Sequence, residues 1–222
     1  MPFQNPVIVL PGVTGTSLID EYPVDAQPLW TVLLNNEYAR LALHPDDPRF
    51  EAKEPARVVP GQLFKVIYGD LVAALRHDLT VHADRPTPVF AFPYDWRQPV
   101  QASARLLADF IDEVIDRTSL LRHYARWPAT QRKVDLVGHS MGGLVICEYL
   151  VGRQLAGIDP RVRKVATLGA PHRGSVEAVV KLATGLASLG GEAPSERERE
   201  LARSTPAIYQ LPPTFDGAVG NA

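Results

Sequence analysis

A single cysteine, Cys147, stands among 222 residues, so no intramolecular disulfide can staple this chain and nothing in the fold demands an oxidising compartment. Long apolar runs are missing too. The N-terminal run Pro6-Val-Ile-Val-Leu10 is only a few residues long and has no basic segment before it. It reads as neither a signal peptide nor a membrane span, so a cytoplasmic location is the expectation and any lipid would be met at an interface or in a pocket. Net charge is only −2, which removes the electrostatic case for nucleic acid. None of the histidines outside the region discussed below makes a metal-ligand spacing with Cys147 or with a carboxylate cluster, so no metal and no cofactor is expected.

Proline, by contrast, is plentiful. The 20 prolines cluster at 23–60, 86–99 and 194–213, where interleaved aromatic and aliphatic residues point to loop-rich structure rather than disorder. With 45% hydrophobic and 22% charged residues the composition is that of an ordinary globular chain, long enough for one α/β domain over 1–222.

Short apolar runs alternate with helical patterns. Strands are expected at Pro6–Leu10, Val89–Phe92, Val134–Val137 and Val162–Leu168, each ended by turn residues or opening into a helical pattern. Helices are expected over Asp70–Arg76 with Asp70 as N-cap, from Ser103 to about Tyr124, over Gly142–Arg153, and from Ser175 toward Ser188. Ser195–Glu198 is a capping-box pattern opening a short charged helix. Residues 13–62 read as irregular. This alternation implies a mainly parallel sheet with helices on both faces, and such sheets place their chemistry at the C-terminal ends of the strands.

One of those ends carries Gly138-His-Ser-Met-Gly142, a G-x-S-x-G motif between an expected strand and an expected helix. That context makes Ser140 a nucleophile held above the sheet on a sharp turn, where side chains at Gly138 and Gly142 would crowd the bend. The loop after the first strand, Pro11-Gly-Val-Thr-Gly15, supplies the complement. Acyl transfer needs two backbone N–H groups aimed at the developing oxyanion. Met141, after the nucleophile, offers one and Val13 the other, with Gly12 and Gly15 allowing close approach.

Taken together, these segments resemble the lecithin–cholesterol acyltransferase family, which includes phospholipid:diacylglycerol acyltransferases and lysosomal-type phospholipases A2. The resemblance rests on Pro6–Leu18, Arg57-Val-Val-Pro-Gly61, Pro93-Tyr-Asp-Trp-Arg97, Gly138–Gly143, Leu168-Gly-Ala-Pro171 with Gly174-Ser175, and Ser204–Pro212. It implies an α/β-hydrolase fold with a lid-like segment at about 176–213. It also implies an O-acyltransferase acting on lipids, which moves an acyl group from a phospholipid or other ester through a Ser140 acyl-enzyme to an alcohol. A lipase- or phospholipase-type hydrolase using the same serine is the alternative. The region of Trp30 is similar to the family's membrane-contacting or acyl-binding element, and a core tryptophan is the equal reading. Asp95 and Arg97 read as an internal ion pair bracing a loop. The implied partners are a lipid or ester substrate and transient contact with a membrane surface.

The pattern also leaves a gap. In this fold the acid and the histidine follow the serine. His172 is the one histidine after Ser140, in a loop that is not the family's catalytic position, so it stands only as a displaced base. Asp159 and Asp216 are the later aspartates, and neither ends a strand. The triad acid and base are therefore not found, and the sheet reads as lacking its C-terminal strands, with the fourth strand left as a bare edge. A longer reading frame, a complementing second chain, a displaced His172 and a non-catalytic hydrolase-fold domain all stay open.

Overall fold

The structure, a computed structural model, describes residues 3–31, 36–186 and 193–215. Its strands in chain order are β1 (Val7–Leu10), β2 (Thr16–Asp20), β3 (Gln27–Trp30), β4 (Val58–Leu63), β5 (Val89–Ala91), β6 (Val134–His139) and β7 (Val162–Leu168). Its helices are α1 (Tyr38–Leu41), α2 (Lys65–Asp78), α3 (Val100–Ser119), α4 (Met141–Leu155), α5 (Val176–Thr184), α6 (Glu196–Arg203) and α7 (Pro206–Tyr209). The chain packs as two compact units. One comprises Met1–Gly15, Gln62–Pro93 and Gln101–Ala170, and the other Thr16–Gly61, Tyr94–Val100 and Pro171–Ala222.

The first unit holds a four-stranded parallel sheet in the order β5-β1-β6-β7. The four expected strands are all present, and the fold is α/β. All four residues of β1 are buried, as befits a central parallel strand of β-branched and aliphatic residues. Val7, Val9 and Val89 form a buried cluster against Leu71, Val72, Leu75 and Leu79 of α2. Ile8, Leu10 and Leu136 are equally buried. By strand alternation Ile8 and Leu10 face the opposite side from Val7 and Val9.

Strand order also decides where a site can form. From β1 the chain steps to β5 on one side, then returns to β6 and β7 on the other. With right-handed crossovers, α2 therefore lies on one face and α3 and α4 on the other. The connections leaving β1 and β6 run in opposite directions, so the crevice of this sheet lies beyond the C-terminal ends of those two neighbours. At the far side β7 is an edge strand, with Val165 42% and Leu168 44% exposed.

Two helix starts differ from expectation. α2 begins at Lys65, and Asp70 lies in its interior rather than at its cap. The N–H groups of Ile67 and Tyr68 bond the Phe64 carbonyl at 3.0 and 2.9 Å, while Val66 and Ile67 stay exposed, so the first turn carries no apolar stripe to read. α3 begins at Val100, with Ser103 buried inside it. The Val100 N–H is capped by the side chain of Gln210, 110 positions away, where no local pattern could show it. α3 ends at Ser119, and a separate 3-10 turn over Arg122–Tyr124 follows. Within it Leu107, Ile111, Val114 and Ile115 are fully buried while Leu106 is 55% exposed.

The second unit overturns the expectation of an irregular stretch at 13–62. Strands β3, β2 and β4 form a three-stranded sheet in that order, with β2 and β3 antiparallel. Pro28 in β3 and Pro60 in β4 argued against strands from sequence. Both strands are edges of this sheet, and edges are where proline is tolerated. At the end of β2 the buried Asp20 carboxylate accepts the N–H groups of Tyr22 (2.9 Å) and Arg57 (2.8 Å) and pairs with Arg40. Burial would raise its pKa, but these donors outweigh burial and hold it below the ordinary carboxylate value.

Arg97 is the polar centre of this unit. Its side chain is fully buried and donates to both oxygens of Asp95 (2.9 and 2.8 Å), to both of Glu51 (2.8 and 3.1 Å) and to the Leu41 carbonyl (2.8 Å). Asp95 and Arg97 thus brace a loop, with Glu51 as a partner that no sequence pattern marked. Burial works against the guanidinium charge, but the adjacent Asp95 and Glu51 carboxylates outweigh it and hold Arg97 firmly protonated. Trp30 packs edge-on against Trp96 and Tyr38, with ring centroids at 5.2 and 6.1 Å. Ser195 caps α6 as the capping box predicts, accepting the Glu198 N–H at 3.4 Å. Among the described residues no helix is long and apolar enough to cross a membrane.

Candidate active site

Ser140 sits between β6 and α4 with φ 50 and ψ −124, a conformation that side chains other than glycine's rarely adopt. Its N–H bonds the Leu168 carbonyl at the end of β7 (2.9 Å), and its carbonyl accepts the Gly143 N–H (3.0 Å). The strained turn is thus pinned from both sides, as functional backbone strain requires. Met141 is the first residue of α4, so helix geometry gives its N–H no intrahelical acceptor and places it at the positive end of the macrodipole.

The loop after β1 closes on the same point. A turn forms over Gly12–Gly15, with the Gly15 N–H donated to the Gly12 carbonyl at 3.1 Å and Thr14 at φ 60. A Cβ added at Gly12 would lie 2.9 Å from the Ser140 Cβ and 3.4 Å from its Oγ. A Cβ added at Gly142 would lie 2.6 Å from the Pro11 carbonyl oxygen and 2.7 Å from that of Leu10. Only bare Cα atoms permit this approach. The structure therefore brings together Ser140, Met141 and the turn carrying Val13, at the crevice set by strand order.

Behind this junction lies a residue the sequence did not single out. The Tyr68 hydroxyl, on α2, accepts the Gly12 N–H at 2.8 Å and lies 2.9 Å from Nδ1 of His139. Burial raises the Tyr68 hydroxyl above its ordinary pKa and lowers the His139 imidazole below its own. Tyr68 escaped notice because the expected helix began after it.

The family model described as lecithin:cholesterol acyltransferase matches residues 35–221. The chain belongs to that family. A phosphatidylcholine-sterol acyltransferase from Gallus gallus is 34% identical over 104 residues, covering 46% of this chain and 22% of that relative. A chain in the crystal structure of the Tle4–Tli4 complex aligns with 94% of this chain and 54% of its own, at a TM-score of 0.61 and 18% identity, a likeness of fold. This chain thus spans about a fifth of the curated relative's length and about half of the solved one.

In this member of the lecithin:cholesterol acyltransferase family, Asp159 lies far from Ser140. Asp159 precedes β7, whose Val162 pairs with Val134 at the start of β6, whereas Ser140 follows the opposite end of β6. At 3.3 Å per residue the strand separates them by roughly 20 Å. Asp159 is instead tied to the Arg161 N–H and to Lys133, which hold its pKa below the ordinary value. His172 is exposed and belongs to the other unit. Asp216 and the tail beyond it lie outside the described residues. Among the described residues no group of three or more His, Cys, Asp or Glu could hold a metal ion.

Gly142→Ala tests the junction. The added methyl meets two backbone carbonyls that cannot rotate away, so β1's loop or the elbow must shift. The expected cost is about 1–3 kcal/mol of stability, read as a lowered urea midpoint. Fluorophosphonate labelling of Ser140 is expected to fall with it.

Proposed function

We propose that this chain carries the acyl-accepting half of a lipid acyltransferase site. The observation that supports the reading is the contact of the Gly12–Gly15 turn with the Ser140 elbow, where a Cβ added at Gly12 would lie 3.4 Å from the serine Oγ. Ser140 Oγ attacks the carbonyl of a phospholipid or other ester while a base takes its proton. The N–H groups of Val13 and Met141 receive the negative charge of the tetrahedral intermediate. Collapse expels the alcohol of the donor lipid and leaves Ser140 acylated, and an acceptor hydroxyl then takes the acyl group by the reverse steps. Family membership supports transfer to an alcohol, with water as the competing acceptor. The proton acceptor is an imidazole contributed by a longer form of this chain or by a complementing chain, or else a displaced His172.

Two measurements test this. A fluorophosphonate incubated with the purified chain is expected to add once, at the tryptic peptide holding Ser140. Product analysis with a phosphatidylcholine donor is expected to show a new ester when a long-chain alcohol is added. Free fatty acid alone would replace transfer by hydrolysis, and absence of labelling in a chain extended to the family's full length would make it a non-catalytic member of its family.

A further inference from the structure

The Tyr68 hydroxyl has one proton to give and lone pairs to receive with. The Gly12 N–H can only donate to it, which uses a lone pair. Its own proton is within reach of the nitrogen 2.9 Å away, Nδ1 of His139, in the tautomer that leaves that nitrogen bare. That tautomer puts the imidazole proton on Nε2. The rings meet edge-on, with centroids 5.7 Å apart at 64°. In that tautomer the relay runs one way, from Gly12 N–H to Tyr68 O–H to His139 Nδ1.

Its two ends carry the consequence. Gly12 is the residue before Val13, and His139 the residue before Ser140. A Cβ added at Gly15 would also lie 2.8 Å from the Tyr68 oxygen, so the turn wraps the hydroxyl from both of its glycines. The Phe64 N–H, at the head of α2, bonds the Gly15 carbonyl at 3.2 Å and anchors the turn's last residue to the helix that carries Tyr68. We propose that Tyr68 is a positioning residue: through Gly12 and His139 it sets the spacing between the turn that offers an oxyanion N–H and the elbow that offers the nucleophile. This rests on the serine reading above. Tyr68 is not the base, since its proton is committed to His139. Its work is done before substrate arrives, because oxyanion stabilisation depends on donors already in place.

The test uses the whole 222-residue chain. Tyr68→Phe keeps the ring and removes the hydroxyl. The maximal rate of Ser140 phosphonylation by a fluorophosphonate is expected to fall about 10- to 100-fold, with the concentration for half-maximal rate changing less than about twofold. Imidazole nitrogen NMR of the wild type is expected to show Nδ1 of His139 unprotonated and hydrogen-bonded, and the variant to lose that bond. Exchange of the Gly12 amide is expected to quicken on the order of tenfold. His139→Asn places an amide oxygen near the former Nδ1 and is expected to retain most of the rate, whereas His139→Leu is expected to match Tyr68→Phe. This pair carries the test should Tyr68→Phe fail to fold. A folded Tyr68→Phe with an unchanged maximal rate overturns the proposal, as does a protonated Nδ1 in the wild type. No labelling of the wild type, both in this chain and in one extended to the family's full length, overturns the serine reading and the catalytic consequence with it, and the NMR and exchange measurements then still decide the relay.

Discussion

Ser140→Ala is expected to abolish fluorophosphonate labelling and to lower any ester turnover by about 10⁶-fold, the scale of loss when a serine nucleophile is removed. The fold should not notice. Alanine keeps the Cβ that makes φ 50 costly, so its melting temperature should stay close to that of the wild type. Ser140→Gly is expected to lose labelling just as completely and to gain stability. Backbone strain of this kind costs about 1–3 kcal/mol, and glycine relieves it while returning some of the gain through its freer unfolded chain. A net gain of about 1 kcal/mol corresponds to a rise of about 2–4 °C in melting temperature. The pair separates two ideas that one variant would confuse. If the elbow is strained for the sake of the hydroxyl, activity and stability must move in opposite directions. Labelling that survives in Ser140→Ala would sink the nucleophile assignment, and a lower melting temperature for Ser140→Gly would sink the strain.

Arg97→Leu is expected to destabilise the second unit by about 3–5 kcal/mol, since removing one partner of a buried ionic network strands the others. Glu51 and Asp95 would be left with side-chain exposures of 10% and 13% and with no guanidinium between them. Burial already pushes the Glu51 carboxyl above its ordinary pKa, in spite of Arg97. Without Arg97 the Glu51 carboxyl rises further above its unfolded value. A raised folded pKa means the folded state holds extra protons at low pH and loses that advantage as pH rises through it. The variant should therefore recover part of its deficit at pH 5 relative to pH 7.5, measured as urea midpoints against the wild type. A deficit independent of pH would show that lost packing, not unpaired charge, is responsible. Arg97→Lys is expected to rescue poorly, because an ammonium cannot span two carboxylates and the Leu41 carbonyl as the guanidinium fork does.

Residues close in sequence carried their own instructions. The buried β-branched run at Val7–Leu10, the strand ahead of Ser140 and the helix behind it follow from periodicity, and Gly138, Gly142 and Gly12 mark backbone that must bend or approach closely. The parallel sheet, the place of Ser140 on it and the turn facing it were therefore legible. So was the capping box at Ser195, whose bond spans three residues. Tertiary structure decided the rest. Pro28 and Pro60 became strand residues only because topology made β3 and β4 edges. Glu51 became a partner of Arg97 only because two irregular stretches fold over each other, and Gln210 became a helix cap by the same means. Tyr68 reaches Gly12 across 56 positions and His139 across 71. No local propensity encodes such a bond. The hydroxyl meets Gly12 and His139 because β1 and β6 lie side by side and α2 packs against the β1–β5 face, and a sheet order is a property of the folded chain alone.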